Sequence, residues 1–193
     1  MKRVGILALQ GDFEAHAKSL AEAGAEPVLV RTAAGLEGLD GLVIPGGEST
    51  TMLKLLEDEG MMDPLRDFGR RRPIFGTCAG AILLASQVQG PEQKSLALMD
   101  MSVERNAYGR QIESCVAGIA PEPELRTRIG CEGDMEAVFI RAPIIRRLGE
   151  GARVLARYRG DAVLVEDGLH LAATFHPELT TDRRVHRLFL NKL

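Results

Sequence analysis

Short hydrophobic runs alternate with amphipathic stretches along the first half of the chain. Residues 2–10 (KRVGILALQ) are apolar on both faces, which is typical of a buried strand in a parallel sheet. The next segment has the period of an amphipathic helix, and its apolar stripe comprises Phe13, Ala17, Leu20, Ala21 and Gly24. Further runs at 26–30, 41–44 and 72–75 predict three more strands. Repeated strand–helix–strand units indicate an α/β fold with a doubly wound, mostly parallel sheet.

The second half of the chain predicts shorter strands. Their candidate ranges are 101–105, 114–119, 137–140, 154–158, 162–166 and 169–175. Turn residues separate the last three, which predict an antiparallel meander. Residues 87–95 are polar and predict a surface loop, and a last helix is expected from 181 or 182 to 191. No repeat or linker interrupts the chain, so we expect one domain over 1–193, with three layers and an antiparallel extension of the sheet.

Composition excludes several classes of function. A net charge of −3, 4% aromatic residues and the lack of Trp argue against nucleic-acid binding, and no apolar run reaches membrane-spanning length. The three cysteines, Cys78, Cys115 and Cys131, form no CxxC pair, which argues against a disulfide framework or a zinc site. An apolar strand follows the first residues directly, without a signal peptide. We therefore expect a cytoplasmic protein, with Cys115 and Cys131 as small core residues.

The segment Gly76-Thr77-Cys78-Ala79-Gly80 stands between a predicted strand and a predicted helix. This is the thiol version of the nucleophile elbow, in which a sharp turn holds the nucleophile in strained backbone geometry and requires small neighbours. The helix N-terminus favours a thiolate, and the Ala79 amide is placed to donate to an oxyanion. A buried structural cysteine beside a tight turn is the alternative interpretation.

A second glycine turn, Pro45-Gly46-Gly47-Glu48-Ser49-Thr50, follows the third strand. Adjacent glycines let backbone amides approach a ligand closely, and Ser49 or Thr50 can cap the next helix. Gln10, this turn and Cys78 all follow parallel strands, so they meet at the sheet edge where open α/β sheets bind ligands. A plain tight turn is the alternative.

Four histidines are candidates for the general base: His16, His170, His176 and His186. His16 and His186 fall within predicted helices, where an exposed or half-buried side chain is expected. His176 precedes Pro177, which favours an extended conformation at His176 and lets Glu178 project to the same side. Glu178 can then orient one imidazole nitrogen while the other faces a thiol. His176 is therefore favoured over His170.

A thiol, an imidazole and a carboxylate at one sheet edge predict acyl transfer. In this interpretation a thiolate attacks a carbonyl, the amides of Gly47 and Ala79 hold the oxyanion, and His176 protonates an amine leaving group. Two other classes stay open. One is a cysteine peptidase on a similar fold, and the other is a binding or regulatory module that has lost its chemistry.

Several blocks of sequence closely resemble the class I (triad) glutamine amidotransferases, and among them the glutaminase subunits of pyridoxal 5′-phosphate synthase. They are LQG at 9–11, PGGEST at 45–50, GTCAG at 76–80, ERNAYGRQ at 104–111, FIRAP at 139–143 and FHPELTTDRRVH at 175–186. The resemblance covers nearly the whole chain and implies a flavodoxin-like, three-layer fold.

The resemblance also implies an activity and a set of site residues. L-glutamine would be hydrolysed to L-glutamate and ammonia, with Cys78 as nucleophile, His176 as base and acid, and Glu178 as its orienter. The residues implied to bind glutamine are Gly47, Glu48, Ser49, Arg105, Ile140 and Arg141. No cofactor and no metal are implied.

The resemblance further implies a partner. Ammonia would pass to a (β/α)8-barrel synthase subunit within a large hetero-oligomer, and pyridoxal 5′-phosphate would be the product of that partner. Gln10 and Gly46 lie in the part of the family that responds to the partner, where docking reorients the Gly46–Gly47 peptide. Two departures from the family pattern, Ala15 in place of an acid and Ala97 in place of a glycine, leave the triad untouched.

Overall fold

The structure is a computed structural model that describes residues 1–106, 114–130 and 133–193. Its strands are β1 (Arg3–Leu7), β2 (Glu26–Val30), β3 (Gly41–Ile44), β4 (Ile74–Thr77), β5 (Ala85–Gln89), β6 (Met99–Glu104), β7 (Ser114–Pro121), β8 (Met135–Ile140), β9 (Ile144–Leu148), β10 (Ala152–Tyr158), β11 (Asp161–Asp167) and β12 (His170–Ala173). Its helices are α1 (Phe13–Glu22), α2 (Ser49–Asp58), α3 (Met62–Gly69), α4 (Ala79–Leu84), α5 (Pro123–Ile129) and α6 (Arg184–Leu190), with 3₁₀ turns at Ala33–Leu36 and Pro177–Leu179.

Within the described residues, one large sheet carries the architecture, in the order β2-β1-β3-β4-β12-β11-β10-β7-β8. The first five strands of this order pair in parallel. From β12 onward the pairs are antiparallel. Because the carboxyl ends of parallel strands lie at one edge, the residues that follow β1, β3, β4 and β12 meet there.

Helices cover both faces of the parallel part. Consecutive strand residues point to opposite faces, so Ile6 joins one apolar cluster and Leu7 joins the other. Leu7 packs in the cluster that includes Met52 of α2 and residues of α3. Ile6 packs in the cluster that includes Leu20 of α1 and residues of α6. The predicted α/β fold with a doubly wound sheet and an antiparallel extension is therefore confirmed.

Some element boundaries differ from the sequence-based expectation. Residues 85–89 form β5, in a small second sheet with β6 and β9, so only the rest of the expected 87–95 loop is irregular. The last helix begins at Arg184, because the Asp182 carboxylate accepts the hydrogen bond of the Arg184 amide and so marks its first turn. Ala97, where the resemblance expects glycine, has φ of +54°, a backbone conformation that favours glycine.

Two predictions concern residues that the structure does not describe. Residues 107–111 of the 104–111 block lie outside the described ranges, and so does Cys131, which was predicted to be a small core residue. The single-domain assignment over 1–193 stays a prediction. In the described part of the chain, no helix is both long and apolar enough to cross a membrane.

Candidate active site

Cys78 occupies a sharp turn between β4 and α4. Its φ of +47° and ψ of −103° lie in a region that side chains rarely adopt, and such strain at a cysteine is characteristic of a presented nucleophile. The Cys78 amide donates to the Ala173 carbonyl of β12 at 2.8 Å, which fixes the turn against the sheet. Its side chain is buried except for a small exposed surface.

The glycines on either side of Cys78 are required by close backbone packing. A β-carbon on Gly76 would lie 2.5 Å from the Gly80 carbonyl carbon. A β-carbon on Gly80 would lie 2.8 Å from the Ile44 carbonyl carbon of β3. The Gly-x-Cys-x-Gly spacing therefore lets α4 begin directly against the ends of β3 and β4, and this brings Cys78 to the sheet edge.

His176 and Glu178 follow β12 at the same edge. The His176 amide donates to the Val138 carbonyl of β8 at 2.8 Å, and His176 Nδ1 lies 2.7 Å from Glu178 Oε1. Glu178 reaches the imidazole from the 3₁₀ turn Pro177–Leu179, and not as a side chain two residues along an extended segment. The turn brings the carboxylate back to the imidazole. Both side chains are buried.

Cys78 and His176 line the same pocket, and the thiol affects the pKa of the imidazole. Burial lowers the pKa of His176, but hydrogen bonds and charge interactions with Cys78 and Glu178 outweigh it and raise the pKa to about 10. Since Nδ1 faces Glu178, Nε2 is the nitrogen left for the sulfur. Burial instead lowers the pKa of His170, to about 4, and of His186, to about 3. The imidazole beside Cys78 is thus held in its protonated form.

His16 and His186 are fully buried, which contradicts the expectation of exposed or half-buried helical side chains. His16 Nδ1 lies 3.1 Å from His186 Nε2, and His16 Nε2 lies 3.0 Å from Thr77 Oγ1 and 3.3 Å from Glu178 Oε2. The signal was present in the sequence, since His16 lies three residues after Phe13 and four before Leu20, on the apolar stripe of α1.

A pocket of about 280 Å³ opens over Cys78. The expected substrate-binding residues all line it, together with further side chains: Gln10, Asp12, Gly47, Glu48, Ser49, Cys78, Ile82, Arg105, Asn106, Ile140, Arg141, Pro143 and His176. The Ile140 carbonyl oxygen lies 3.9 Å from Cys78 Sγ. Arg141, with φ of +44°, and Arg105 form no ion pair with a carboxylate of the described residues.

Glu48 caps α2, a role expected of Ser49 or Thr50. Its carboxylate accepts hydrogen bonds from the Thr50 amide at 3.1 Å and the Thr51 amide at 2.6 Å. Burial raises the pKa of Glu48, but the hydrogen bonds from Thr51 and Thr50 together outweigh it and lower the pKa to about 2. The carboxylate at the pocket wall is therefore ionised and fixed in orientation.

Gln93 connects two walls of the pocket and was not anticipated from sequence. Its Oε1 accepts hydrogen bonds from Ser49 Oγ at 3.1 Å and from Arg105 Nη1. The residue lies in a polar segment with no motif of its own, so nothing in the sequence distinguished it from a surface glutamine.

The Gly46–Gly47 turn packs against Gln10 and His176. The Gly46 carbonyl accepts a hydrogen bond from the Asp12 amide at 3.3 Å, and Gln10 Oε1 accepts one from the Glu48 amide at 3.1 Å. Gly47 has φ of +155°, and a β-carbon there would lie 3.0 Å from Gln10 Cδ. Because the peptide is planar and trans, the Gly47 N–H points away from Asp12. Ala79, whose amide is the other expected oxyanion donor, is buried at the first position of α4.

The donor set nearest to a metal-binding arrangement is Asp12, His176 and Glu178, whose ligand atoms lie within 4.8 Å of one another in the described chain. Asp12 Oδ2 lies 3.9 Å from His176 Nδ1. Because His176 Nδ1 already lies 2.7 Å from Glu178 Oε1, His176 and Glu178 have the arrangement of a general base and the carboxylate that orients it. That the site needs no metal stays a prediction.

Comparisons with known proteins agree with this geometry. A family model described as the SNO glutamine amidotransferase family matches residues 6–193. A protein of Solibacter usitatus named pyridoxal 5′-phosphate synthase subunit PdxT is 58% identical over 193 residues, which cover 100% of both chains. One of the same name from Koribacter versatilis is 54% identical, covering 97% of this chain and 94% of its own. A solved structure titled as a glutamine amidotransferase has a TM-score of 0.88 and 48% identity, covering 98% of this chain and 97% of its own.

Proposed function

We propose, since the chain belongs to the SNO glutamine amidotransferase family, that it hydrolyses L-glutamine to L-glutamate and ammonia with Cys78, His176 and Glu178 as its catalytic triad. The observation that carries this assignment is the buried His176 imidazole, which lines the same pocket as Cys78 and has the Glu178 carboxylate 2.7 Å from its Nδ1. The three groups lie below a pocket whose walls carry both positive and negative charge. The chemistry needs no cofactor beyond these side chains.

In the first half of the reaction, the Cys78 sulfur forms a bond with the side-chain carboxamide carbon of glutamine. The electron pair of the C=O double bond moves onto oxygen, where the Gly47 and Ala79 amides donate to it. His176, which holds the proton of the thiol, gives it to the amide nitrogen. The C–N bond breaks, ammonia leaves, and a γ-glutamyl thioester remains on Cys78.

In the second half, water displaces the Cys78 sulfur from the γ-glutamyl group. His176 takes one proton from the water as its oxygen attacks the thioester carbon, and Glu178 stabilises the imidazolium that forms. The C–S bond breaks, the sulfur leaves as thiolate beside the protonated His176, and the new carboxylic acid releases its proton to solvent and leaves as L-glutamate. No redox step occurs, and the triad returns to its initial state.

Recognition of a free amino acid fits the charges of the pocket. Arg105 and Arg141 are suited to the α-carboxylate, because a guanidinium binds a carboxylate through a planar fork of donors. The ionised Glu48 carboxylate offers a negative charge for the α-ammonium group. Gly47, Ser49 and the Ile140 carbonyl line the remaining pocket surface.

Two rival functions are less well supported. A cysteine peptidase must accept an extended chain on both sides of the scissile bond and does not need two arginines beside its nucleophile. A binding or regulatory module does not need a strained cysteine. The φ of +47° at Cys78 lowers stability by about 1–3 kcal/mol, and in such a module no catalytic function would require this conformation. Membership of an amidotransferase family supports the glutaminase.

The ammonia is delivered to a synthase subunit in our proposal, because relatives up to 58% identical are named as subunits of pyridoxal 5′-phosphate synthase. The chain would then act as one component of a cytoplasmic hetero-oligomer. Its partner is expected to be a (β/α)8-barrel that makes the cofactor. Gln10, which holds the Glu48 amide beside the Gly46–Gly47 peptide, is the expected point at which docking acts on the oxyanion hole.

The test is glutamate release from L-glutamine, measured with and without a cognate synthase subunit. We expect activity that the synthase stimulates and that Cys78→Ala abolishes. A Cys115→Ala chain serves as the matched control and retains the stimulated activity. Activity that ignores the synthase would remove the partner from the proposal but keep the triad. No turnover by a folded, synthase-bound chain would overturn the glutaminase.

A further inference from the structure

A pair of buried histidines lies next to Glu178, on α1 and α6. His16 of α1 and His186 of α6 are both fully buried and lie 3.1 Å apart, Nδ1 to Nε2. The other nitrogen of His16, Nε2, lies 3.3 Å from Glu178 Oε2. A continuous line of polar groups therefore runs from the proposed nucleophile through His176, Glu178 and His16 to His186. The proposed triad accounts for only part of this line.

The two oxygens of Glu178 have different surroundings. Oε1 accepts from His176 Nδ1 at 2.7 Å, whereas Oε2 is fully buried and, among the described residues, has no hydrogen bond of good geometry. A buried carboxylate oxygen requires a donor, and His16 Nε2 at 3.3 Å is the nitrogen that approaches it.

The tautomer of His16 follows from its neighbours. With the proton on Nε2, His16 donates toward Glu178 Oε2 and Thr77 Oγ1, and its Nδ1 accepts from His186 Nε2. The opposite tautomer turns the lone pair of Nε2 toward the carboxylate, so that two acceptors face each other in a buried site. The Nε2–H form satisfies more of the buried groups.

The titratable groups that face His16 are Glu178 and His176 from the turn after β12, and His186 from α6. Burial, followed by the charges of His186 and His176, lowers the pKa of His16 well below the ordinary histidine value. His16 therefore stays neutral at neutral pH and acts as a donor without adding charge to the pair in front of it.

We propose that His16 is a positioning residue for the glutaminase reaction. Held in the Nε2–H tautomer by His186, it donates to Glu178 Oε2 and fixes the carboxylate in the plane that orients His176 toward Cys78. This inference rests on the proposed triad.

The first test compares His16→Met with His16→Gln, assayed with the synthase subunit. His16→Met fills the site without a donor, and kcat is expected to fall about 10- to 100-fold, the range for a lost hydrogen bond to a buried charge, with KM for glutamine unchanged. The amide nitrogen of Gln reaches the position of Nε2, so His16→Gln recovers most of kcat. His170→Met, at a buried histidine bonded to the Ile74 amide, is the matched control and keeps full kcat.

The second test observes the tautomer directly in the native chain. Nitrogen-15 NMR of histidine-labelled chain distinguishes a protonated Nε2 from a protonated Nδ1, with the His16 signal assigned by its loss in His16→Gln. We expect the Nε2–H form at neutral pH.

Three results would overturn the positioning role. They are an Nδ1–H tautomer, an unchanged kcat in a folded His16→Met chain, and equal losses in His16→Met and His16→Gln, which would indicate a packing role alone. An inactive native chain with the synthase bound would instead reject the glutaminase itself, so the two failures are distinguishable.

Discussion

The α-carbon of Gly46 packs directly against the imidazole of His176. A β-carbon at this position would lie 2.9 Å from His176 Nδ1 and closer still to Cε1. The absence of a side chain at Gly46 therefore allows the imidazole of the proposed base to pack against the turn that follows β3. Sequence analysis assigned Gly46 to the partner-responsive region, and the structure adds a contact with the base.

Gly46→Ala is expected to lower kcat by about 100-fold or more, because misplacing a catalytic group by about 1 Å has an effect of that size. The measurement is glutamate release with the synthase subunit, alongside thermal unfolding. Gly60→Ala is the matched control, since no atom lies within 4 Å of an added β-carbon there. It should lose some stability through its φ of +62° but keep its kcat. Full activity in a folded Gly46→Ala chain would show that the packing is not needed.

Strain at Cys78 predicts an unusual order of stability. Removing the thiol as Cys78→Ala keeps the β-carbon at φ of +47°, whereas Cys78→Gly releases it. Glycine avoids a penalty of about 1–2 kcal/mol in such a conformation. We expect Cys78→Gly to exceed Cys78→Ala by about 1 kcal/mol in free energy of unfolding, measured by urea titration. Equal stabilities, or a more stable alanine variant, would remove the evidence for strain at the nucleophile.

Gln93 should affect substrate binding more than chemistry. Its Oε1 holds Ser49 Oγ and Arg105 Nη1 across the pocket, so Gln93→Ala releases both. We expect KM for glutamine to rise about tenfold, corresponding to about one lost hydrogen bond to a charged group, with kcat within about twofold. Gln89→Ala, which removes a long contact to Ser102 Oγ on β6, is the control. A fall in kcat at unchanged KM would contradict this role.

The buried histidines predict loss of stability in mild acid. The pKa of His16, His170 and His186 is lowered in the folded chain, so below about pH 6.5 the unfolded chain binds more protons. Stability should then fall by about 1 kcal/mol per pH unit for each such histidine. The contribution of His176, whose pKa is raised, is complete below pH 6.5 and is lost only toward about pH 10.

Urea unfolding at several pH values between about 4.5 and 7 measures this slope. Carboxylates with lowered pKa, such as Glu48, lose their contribution only below about pH 4.5, so this window belongs to the histidines. His170→Gln should reduce the slope of unfolding free energy against pH by about 1 kcal/mol per pH unit, without changing glutaminase activity at neutral pH. A stability that stays flat from pH 6.5 to 5 would contradict the buried neutral state.

The parallel half of the fold and the centre of the site could be predicted because each signal was local. Apolar runs marked the strands, and the spacing of Gly76, Cys78 and Gly80 indicated the elbow before any contact was known. The edge where parallel strands end then placed Gln10 and Gly47 beside Cys78.

What the sequence did not provide depends on contacts between distant elements. Gln93 lies 12 residues from Arg105 and 44 from Ser49, and no local pattern joins them. His16 and His186 meet across 170 residues, so their mutual burial follows from the packing of α1 against α6. The capping role of Glu48 was misassigned to Ser49 or Thr50 because the helix begins at Ser49, earlier than a hydroxyl cap at either residue would place its start.

The central claim is that Cys78 attacks the side-chain amide of glutamine. It is tested most directly by treating the chain, with the synthase subunit bound, with a glutamine analogue that carries a chloroketone in place of the amide, and mapping the adduct by mass spectrometry. We predict one adduct per chain, on Cys78, whose formation L-glutamine slows and His176→Ala slows further. Labelling of Cys115 or Cys131 at a similar rate, or labelling of Cys78 that glutamine does not slow, would contradict the account.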